Sequence, residues 1–289
     1  MLVVLFQSIK YRVTVGNMIL KIKHFDEDVF RGKMEHLKDV PFTLFVDDIP
    51  QVQEDLSEVN VLVLQEPNEY FGLHDWAIAN QHYFSVILTW DEKVLNNCDN
   101  AMFLPFGHTW FRKAEYEKTY NKTFQVSHLA GALNKTYGHS LRHELTAREN
   151  ELKIPTNFYK THGNRSDIDN ARKGKIEVFG GSEFGVAIEN TNHRGYFTEK
   201  ILDLFLLKTI PIYWGCSNIG DFFNTNGIIQ VNNVDDITSK VNSLNEKYYS
   251  VCKKAIDENY KRALKYVDYE QNIVNTITNL FTENGILAI

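Results

Sequence analysis

The chain alternates between short, almost continuously apolar runs and longer segments in which apolar and polar residues mix with a helical period. Continuous apolar runs are typical of parallel strands that are covered on both faces of a sheet. We predict strands at residues 2–6, 40–47, 59–65, 84–90, 101–107, 123–131, 176–181, 183–190, 209–215 and 227–231. The mixed segments predict helices at residues 26–38, 138–152, 198–208 and, in a long tail, 236–267.

Alternation of strands and helices predicts an α/β protein. With 289 residues, the chain has the size at which a single hydrophobic core usually divides into domains. The charged segment 108–122 separates two strand-rich halves. We therefore predict an N-terminal domain of residues 1–115, a C-terminal domain of residues 116–265, and a helical tail, 266–289, that packs back on the first domain. A cleft between two such domains is a common place for a ligand.

Composition and charge exclude several classes of partner. The net charge of −6 and the pI of about 5.9 argue against a nucleic acid or an anionic membrane surface. No apolar segment approaches the roughly 20 residues that cross a bilayer, and the N-terminus lacks the basic and small-residue pattern of a signal peptide. Three widely spaced cysteines, Cys98, Cys216 and Cys252, suit reduced thiols. We expect a cytoplasmic protein, either soluble or membrane-peripheral.

A polar segment, AIENTNHRGYFTEKI at residues 187–201, interrupts this burial between a predicted strand and a predicted helix that begins after Thr198, a suitable N-cap. In open α/β sheets, ligands bind in the loop that follows the carboxyl end of a strand. Lys200 opposes the helix dipole in the first turn, and a bound phosphate would reverse that effect. In the alternative, Glu199 neutralises Lys200 and both side chains face water.

The longer segment AIENTNHRGYFTEKILDLFLLKTIPIYWG resembles the signature of the family-ten glycosyltransferases, the α-1,3/1,4-fucosyltransferases. Ile188, Thr191 and Phe197 depart mildly from the family pattern. A weaker resemblance extends over residues 60–265. The positions that match the signature segment are Glu189, Asn190, Tyr196, Thr198, Glu199, Lys200, Asp203, Pro211, Tyr213 and Gly215; outside it, the matches are Glu66, residues 105–107 and Arg142.

This resemblance implies the GT-B architecture, in which two Rossmann-like domains face a central cleft. It also implies an inverting enzyme that moves L-fucose from GDP-fucose to a hydroxyl of an oligosaccharide acceptor, with α-1,3 linkage to GlcNAc or glucose. Arg142 and Lys200 would stabilise the leaving diphosphate, while Asn190, Tyr196 and Glu199 would contact the rest of the donor. No metal or other cofactor is then required, and Mn²⁺ would at most stimulate the reaction. Since the predicted first strand begins almost at Met1, we expect a bacterial-type or viral enzyme without a membrane anchor.

Inversion by single displacement requires a base on the face of the sugar opposite the leaving group. Glu66 is our candidate, because it follows an apolar predicted strand, precedes Pro67 and matches the family's N-terminal glutamate. Glu69 is its nearest rival. Asp47 and Asp48, which follow the preceding strand, are the second choice.

Several other patterns do not point to a site. Asp167 and Asp169 form a D-x-D pair, as in the metal-dependent glycosyltransferases of the other fold, but no predicted strand leads into it, and we expect a solvated loop. The glycine-rich segment 179–185 lacks both the dinucleotide-binding and the P-loop pattern. No metal-ligand spacing occurs among four histidines, for which we expect ordinary hydrogen bonds: His128, His139, His143 and His162.

Two alternatives stay open beside the fucosyltransferase hypothesis. The chain could be a transferase of the same family with another nucleotide sugar or acceptor, or a catalytically silent member that binds glycans or nucleotides. The presence of Glu66, Arg142, Glu199 and Lys200 favours an active enzyme.

Overall fold

The computed structural model describes residues 13–22, 27–52, 55–160 and 168–287, so the strand predicted at residues 2–6 lies outside the described residues. The described chain forms two compact units. Unit 1 comprises the residues up to Leu104 together with those from Glu270 onward, and unit 2 is Pro105–Tyr269. The divisions thus fall after Leu104 and Tyr269. The predicted divisions were after residues 115 and 265.

In the described part of unit 1, six strands form one sheet in the order β1-β2-β3-β4-β5-β6. β1 and β2 form an antiparallel hairpin, and every other neighbouring pair is parallel. β3 is buried at all positions and β4 at all but its first, as their continuous apolar runs predicted. The strands are β1 Val13–Val15, β2 Met18–Ile22, β3 Phe42–Val46, β4 Val59–Leu64, β5 Val86–Thr89 and β6 Ala101–Phe103.

The helices of unit 1 cover this sheet and include the C-terminal one. They are α1 Glu27–Lys33, α2 Asn68–Phe71, α3 Leu73–Ala79, α4 Glu92–Asn97 and α12 Tyr269–Glu283, with 3₁₀ turns at residues 35–37 and 81–83. Phe281 of α12 meets Phe42 of β3 edge to face, with 5.0 Å between ring centroids. His36 bonds Thr278 at 2.9 Å, so α12 packs against elements from the N-terminal part of the chain.

In unit 2, the described strands form a five-stranded parallel sheet in the order β11-β10-β9-β7-β8. β10 is buried at every position. Its last residue, Trp214, is paired with Ile188, the last residue of β9, so the chain leaves both strands at the same carboxyl edge. The strands are β7 Thr123–Ala130, β8 Thr156–Lys160, β9 Ser182–Ile188, β10 Ile210–Trp214 and β11 Ile229–Gln230.

Two helical layers cover the sheet of unit 2. α6 and α9 supply Leu141, Leu145 and Ile237 to one apolar cluster, and α7 and α8 supply Phe179 and Leu202 to the other. The helices are α5 Lys113–Tyr116, α6 Tyr137–Ala147, α7 Ile168–Phe179, α8 Glu199–Leu206, α9 Val234–Asn242, α10 Tyr248–Val251 and α11 Lys253–Ala263, with 3₁₀ turns at residues 149–151, 219–221, 225–227 and 264–266. None of the described helices of either unit is long and apolar enough to cross a bilayer.

The α/β class and the parallel sheets confirm the prediction, but several assignments differ. The single helix predicted at 236–267 is divided into α9, α10 and α11, and β1 and β2 were not predicted. The strand predicted at 176–181 is wrong, because this segment ends α7, where Val178 and Phe179 pack against the apolar face of α8. Tertiary packing here outweighs a local preference for strand. β8 was not predicted, because TNFYK is only partly apolar. It lies at the edge of the sheet, where partial burial suffices.

Lys122 stands just before β7, at the amino edge of the unit 2 sheet. Its Nζ donates to the Gly180 carbonyl and to Thr209 Oγ1, each at 2.7 Å. Burial lowers the pKa of this amine to about 7, and the neighbouring carboxylate of Glu183 only partly opposes the effect. In the folded chain, the amine therefore releases its proton near neutral pH.

This shift predicts a pH dependence of stability. Between about pH 7 and the ordinary value of 10.5, the unfolded chain binds more protons at Lys122 than the folded chain does. The free energy of unfolding should therefore rise with pH across this window, and Lys122→Met should remove that part of the rise. Urea unfolding at several pH values measures it. Lys208→Met is the control, since Lys208 forms a half-exposed ion pair with Asp257; an equal loss of slope in both variants would contradict the prediction.

Candidate functional site

The predicted site residues of unit 2 lie at the carboxyl edge of its sheet, around the loop that joins β9 to α8. Thr198 is the N-cap of α8, as predicted, and its hydroxyl accepts the Lys200 N–H. Gly195 takes a left-handed backbone with φ 77°, and its N–H donates to Asn218 Oδ1 at 2.8 Å. The loop thus turns at Gly195 and enters the helix through a conventional cap.

Glu189 follows β9 directly, and its side chain is 0% exposed. Its two carboxylate oxygens accept the N–H of Thr198 at 2.9 Å and the hydroxyl of Thr198 at 2.6 Å. Lys200 Nζ lies 3.5 Å from the same carboxylate. Burial raises the pKa of Glu189, while the charge of Lys200 opposes the rise. The end of β9 is thereby bonded to the start of α8 across the whole polar loop.

Lys200 and Glu199 form an ion pair in the first turn of α8. Lys200 Nζ lies 3.4 Å from Glu199 Oε1, and the two side chains are 19% and 15% exposed. Burial raises the pKa of Glu199, but the charges of Lys200, Lys175 and His108 outweigh it and bring that pKa well below the usual value. Glu199 and Lys200 therefore form the local pair that the alternative predicted. The two side chains are mostly buried, however, and do not face water as that alternative expected.

Lys175, on α7, joins this cluster and was missed in the sequence analysis. Its Nζ lies 2.7 Å from Asp203 Oδ2, 3.9 Å from Glu199 Oε1 and 4.8 Å from the ring centroid of Trp110. The other oxygen of Asp203 accepts the hydroxyl of Thr109 at 2.6 Å and the Trp110 N–H at 3.3 Å. Asp203 could have indicated such a partner in the sequence. An acid on the apolar face of a helix needs a neighbouring cation when it is buried.

A hydrogen bond brings together Arg142 of α6 and Asn190, the residue after Glu189. Arg142 Nη2 donates to Asn190 Oδ1 at 2.8 Å, and Nε donates to the Gly138 carbonyl at 3.1 Å. These two bonds orient the guanidinium plane at the start of α6. Glu144, two residues further along α6, pairs with Arg148 at 3.0 Å.

Two glycines allow α6 and β10 to approach Glu189. A Cβ atom on Gly138 would lie 1.8 Å from the Glu189 carbonyl oxygen, and one on Gly215 would lie 2.4 Å from Glu189 Cγ. Both distances are far below van der Waals contact. Residues with side chains at these positions would therefore push α6 or the end of β10 away from the buried carboxylate.

Tyr196, for which the resemblance implies contact with the donor, is completely buried. Its ring centroid lies 6.4 Å from that of Phe106.

In unit 1, Glu66 follows β4 at the carboxyl edge of the sheet. Asp47, after β3, accepts the N–H of Gln65 at 2.8 Å and the N–H of Glu66 at 3.2 Å. Asp47 is 1% exposed and takes a left-handed backbone with φ 47°. As a second choice for the base, Asp47 thus has a structural task, which is to hold the end of β4.

Three residues that the sequence analysis did not single out complete this arrangement. The indole N–H of Trp90 donates to the Gln65 carbonyl at 2.6 Å. His74 Nε2 lies 2.9 Å from the Glu66 carbonyl, and its Nδ1 bonds Asp91. In the sequence, these residues could have been found from Asp91 and Glu92, two acids that directly follow the apolar run of β5. Of the other rivals, Glu69 is exposed on α2, and Asp48 is buried.

No cluster of His, Cys, Asp and Glu with a metal-binding arrangement occurs among the residues that the structure describes. Asp167, His162 and the Asp169 side chain lie outside the described part. The other three histidines make ordinary hydrogen bonds, as expected: His128 to the Arg142 carbonyl, His139 to Thr136 and His143 to the Leu133 carbonyl. Burial lowers the pKa of His128 to about 4, so its ring is neutral.

Comparison with known proteins identifies a matching family, sequence relatives and a similar solved structure. Residues 117–279, more than half of the chain, match the C-terminal part of glycosyltransferase family 10 (fucosyltransferase). The chain is 33% identical over 97 residues to the α-(1,3)-fucosyltransferase FucT of Helicobacter pylori, a stretch that is 33% of this chain and 20% of that protein. It is 29% identical over 120 residues to a putative fucosyltransferase of Acanthamoeba polyphaga mimivirus, which is 39% of this chain and again 20% of the relative.

The chain therefore spans about a fifth of the length of these curated relatives. Among solved structures, a glycosyltransferase from Rickettsia africae is similar, with a TM-score of 0.52 at 10% identity over 90% of this chain and 82% of that one. The predicted family and the GT-B fold class are thereby confirmed.

Removal of Lys175 should be costly. Lys175→Met leaves the 2% exposed Asp203 without its nearest cation, which should lower the free energy of unfolding by about 3–5 kcal/mol. Chemical denaturation measures the loss. Lys240→Met, which removes a half-exposed partner of Asp236, should cost about 0–1 kcal/mol. The double variant Lys175→Met/Asp203→Asn should recover most of the stability, and an equally unstable double variant would contradict the ion-pair explanation.

Proposed function

Because the chain belongs to glycosyltransferase family 10, we propose that it transfers L-fucose from GDP-fucose to a hydroxyl group of a glycan acceptor, with inversion. The observation that carries this proposal lies at the carboxyl edge of the unit 2 sheet. There Lys200 lies beside the buried Glu189 carboxylate and pairs with Glu199, and Asn190, the residue after Glu189, accepts a hydrogen bond from Arg142. That edge is where open α/β sheets bind ligands.

The diphosphate of the donor would bind between Arg142 and the start of α8. Bonds to Asn190 and Gly138 orient the guanidinium, which can bind phosphate oxygens bidentately. Lys200 adds a second cation, and the helix dipole favours an anion at this end. As the sugar–phosphate bond breaks, negative charge grows on the leaving GDP, and we propose that these groups stabilise it.

Lys200 must change partners when the diphosphate binds. It now lies between the carboxylates of Glu189 and Glu199, and phosphate oxygens would compete with them for the ammonium group. Lys175 keeps a cation near Glu199 during this exchange. Binding therefore trades one ion pair for another, which costs less than burying an unpaired charge.

The remaining donor contacts follow from charge and position. Glu199 is ionised and can accept hydrogen bonds from the ribose hydroxyls. Asn190 would line the donor pocket beside Arg142. Tyr196 is buried, so we propose that its ring shapes that pocket.

Glu66 is the proposed general base. The acceptor oxygen attacks the anomeric carbon, the bond from that carbon to the β-phosphate oxygen of GDP breaks, and the acceptor proton passes to the Glu66 carboxylate. Asp47 accepts the Glu66 N–H and His74 bonds the Glu66 carbonyl, so the backbone that carries the carboxylate is fixed in position. Because two cations and a helix end carry the phosphate charge, we propose that no metal is required and that Mn²⁺ at most stimulates the reaction.

We propose an oligosaccharide acceptor with α-1,3 linkage to GlcNAc or glucose, tested by transfer of radiolabelled fucose from GDP-fucose to lactosamine-type and other glycans. A thermal-shift panel of GDP, UDP and CDP tests the donor. We expect stabilisation by GDP and transfer of label. Stabilisation by UDP or CDP instead would indicate a family member with another nucleotide sugar, and GDP binding without transfer to any acceptor would indicate a silent one.

Arg142→Ala and Lys200→Ala should each weaken GDP binding by about tenfold to a hundredfold, the value of a hydrogen bond to a charged group, and should abolish turnover. Isothermal titration with GDP measures the first effect. Arg148→Ala is the matched control on α6, because Arg148 pairs with Glu144 and Glu151 at the surface. GDP affinity unchanged in both site variants would contradict the proposed phosphate site.

Glu66→Gln should lower kcat on the order of 10²–10⁴-fold while GDP affinity stays nearly constant, because the general base acts on the acceptor. Steady-state kinetics with GDP-fucose, beside titration with GDP, separates the two effects. Glu69→Gln is the control, since Glu69 is the exposed neighbour on α2. Loss of activity in the Glu69 variant alone would move the base to the rival residue.

A further inference from the structure

His74 is a buried histidine at the carboxyl edge of unit 1, and it touches the backbone of the candidate base. Its side chain is 1% exposed. Nδ1 lies 2.5 Å from Asp91 Oδ2, and Nε2 lies 2.9 Å from the carbonyl oxygen of Glu66. The ring also meets Trp90 edge to face, with 5.5 Å between centroids. Both nitrogens therefore face a defined partner.

These partners determine how many protons the ring carries. A carbonyl oxygen can only accept, so Nε2 must donate to Glu66. An ionised carboxylate also can only accept, so Nδ1 must donate to Asp91. A neutral imidazole has a single N–H, and the two bonds therefore coexist only in the imidazolium form.

The surroundings favour an ionised Asp91 over one that keeps the proton. Its second oxygen, Oδ1, accepts the Lys93 N–H at 2.8 Å as the N-cap of α4, where the helix dipole stabilises a negative charge. Asp75, the next residue of α3, pairs with Lys93 at the surface.

Residues after two neighbouring strands and one residue of α3 hold the two residues that follow β4. Asp47, after β3, holds the N–H groups of Gln65 and Glu66. Trp90, after β5, holds the Gln65 carbonyl, and His74 holds the Glu66 carbonyl. The backbone of Glu66 is therefore fixed on both sides of its Cα atom. Placement within a fraction of an ångström is what a general base requires.

We propose that His74 is a positioning residue, held as an imidazolium by Asp91, and that its bond to the Glu66 carbonyl fixes the general base for transfer. This inference rests on the proposed function, in which Glu66 accepts the proton of the acceptor. A ring with a single proton could donate to only one of the two partners, so the imidazolium is the form that holds Asp91 and the Glu66 carbonyl together.

His74→Leu and Asp91→Asn together test the link. His74→Leu removes the bond to the Glu66 carbonyl, so kcat for fucose transfer from GDP-fucose should fall by about tenfold to a hundredfold. In Asp91→Asn, the amide oxygen can still cap α4 and the amide N–H would donate to Nδ1, so a ring with its one proton on Nε2 keeps the bond to Glu66 and kcat should change much less. KM for GDP-fucose should stay constant in both variants, because the proposed donor residues lie in unit 2. Asp75→Asn is the matched control, since it removes a neighbouring charge without touching either ring nitrogen; an equal loss of kcat in His74→Leu and Asp75→Asn would overturn the proposal.

Nitrogen-15 NMR of histidine-labelled protein gives a readout that needs no turnover. Both ring nitrogens of His74, assigned by their loss in His74→Gln, should carry protons at neutral pH. A singly protonated ring would overturn the inference even in an active enzyme. A doubly protonated ring in a protein that transfers no fucose would instead overturn the proposed function and leave the protonation of His74 standing.

Discussion

The bonds from the Glu189 carboxylate to Thr198 are the constraint on which the unit 2 site depends. They join the end of β9 to the start of α8, so the polar loop between them cannot move away from the sheet. Close approach of α6 and of the end of β10 requires glycine at residues 138 and 215. A buried carboxylate is costly unless its oxygens are satisfied, and here two bonds from one threonine and a nearby lysine satisfy them.

The two units use different physical means at their carboxyl edges. In unit 2, charged side chains hold one another, with Lys200 and Lys175 set against Glu189, Glu199 and Asp203. In unit 1, side chains hold the backbone around Glu66. The difference suits the proposed chemistry. A leaving diphosphate needs cations that can change partners, whereas a general base needs a fixed position.

Much of this structure could be predicted from the sequence, because continuous apolar runs specify buried parallel strands locally. The strand β10 and the cap Thr198 are examples. The cluster around Asp203 could not be derived in this way. Lys175 contacts Asp203 from α7, and the end of this helix has an apolar composition that predicts a strand. The bond from His74 to the Glu66 carbonyl could not be derived either. It depends on how α3 returns to the sheet, and the spacing of residues does not specify that path.

The sharing of Lys200 between two acids has a consequence for the proposed donor site. The carboxylates of Glu189 and Glu199 already balance the charge of this lysine. A diphosphate that bound at the first turn of α8 would have to displace them, which would offset part of its attraction to the ammonium group. A nucleotide released after transfer would therefore be held less tightly than by an unpaired lysine.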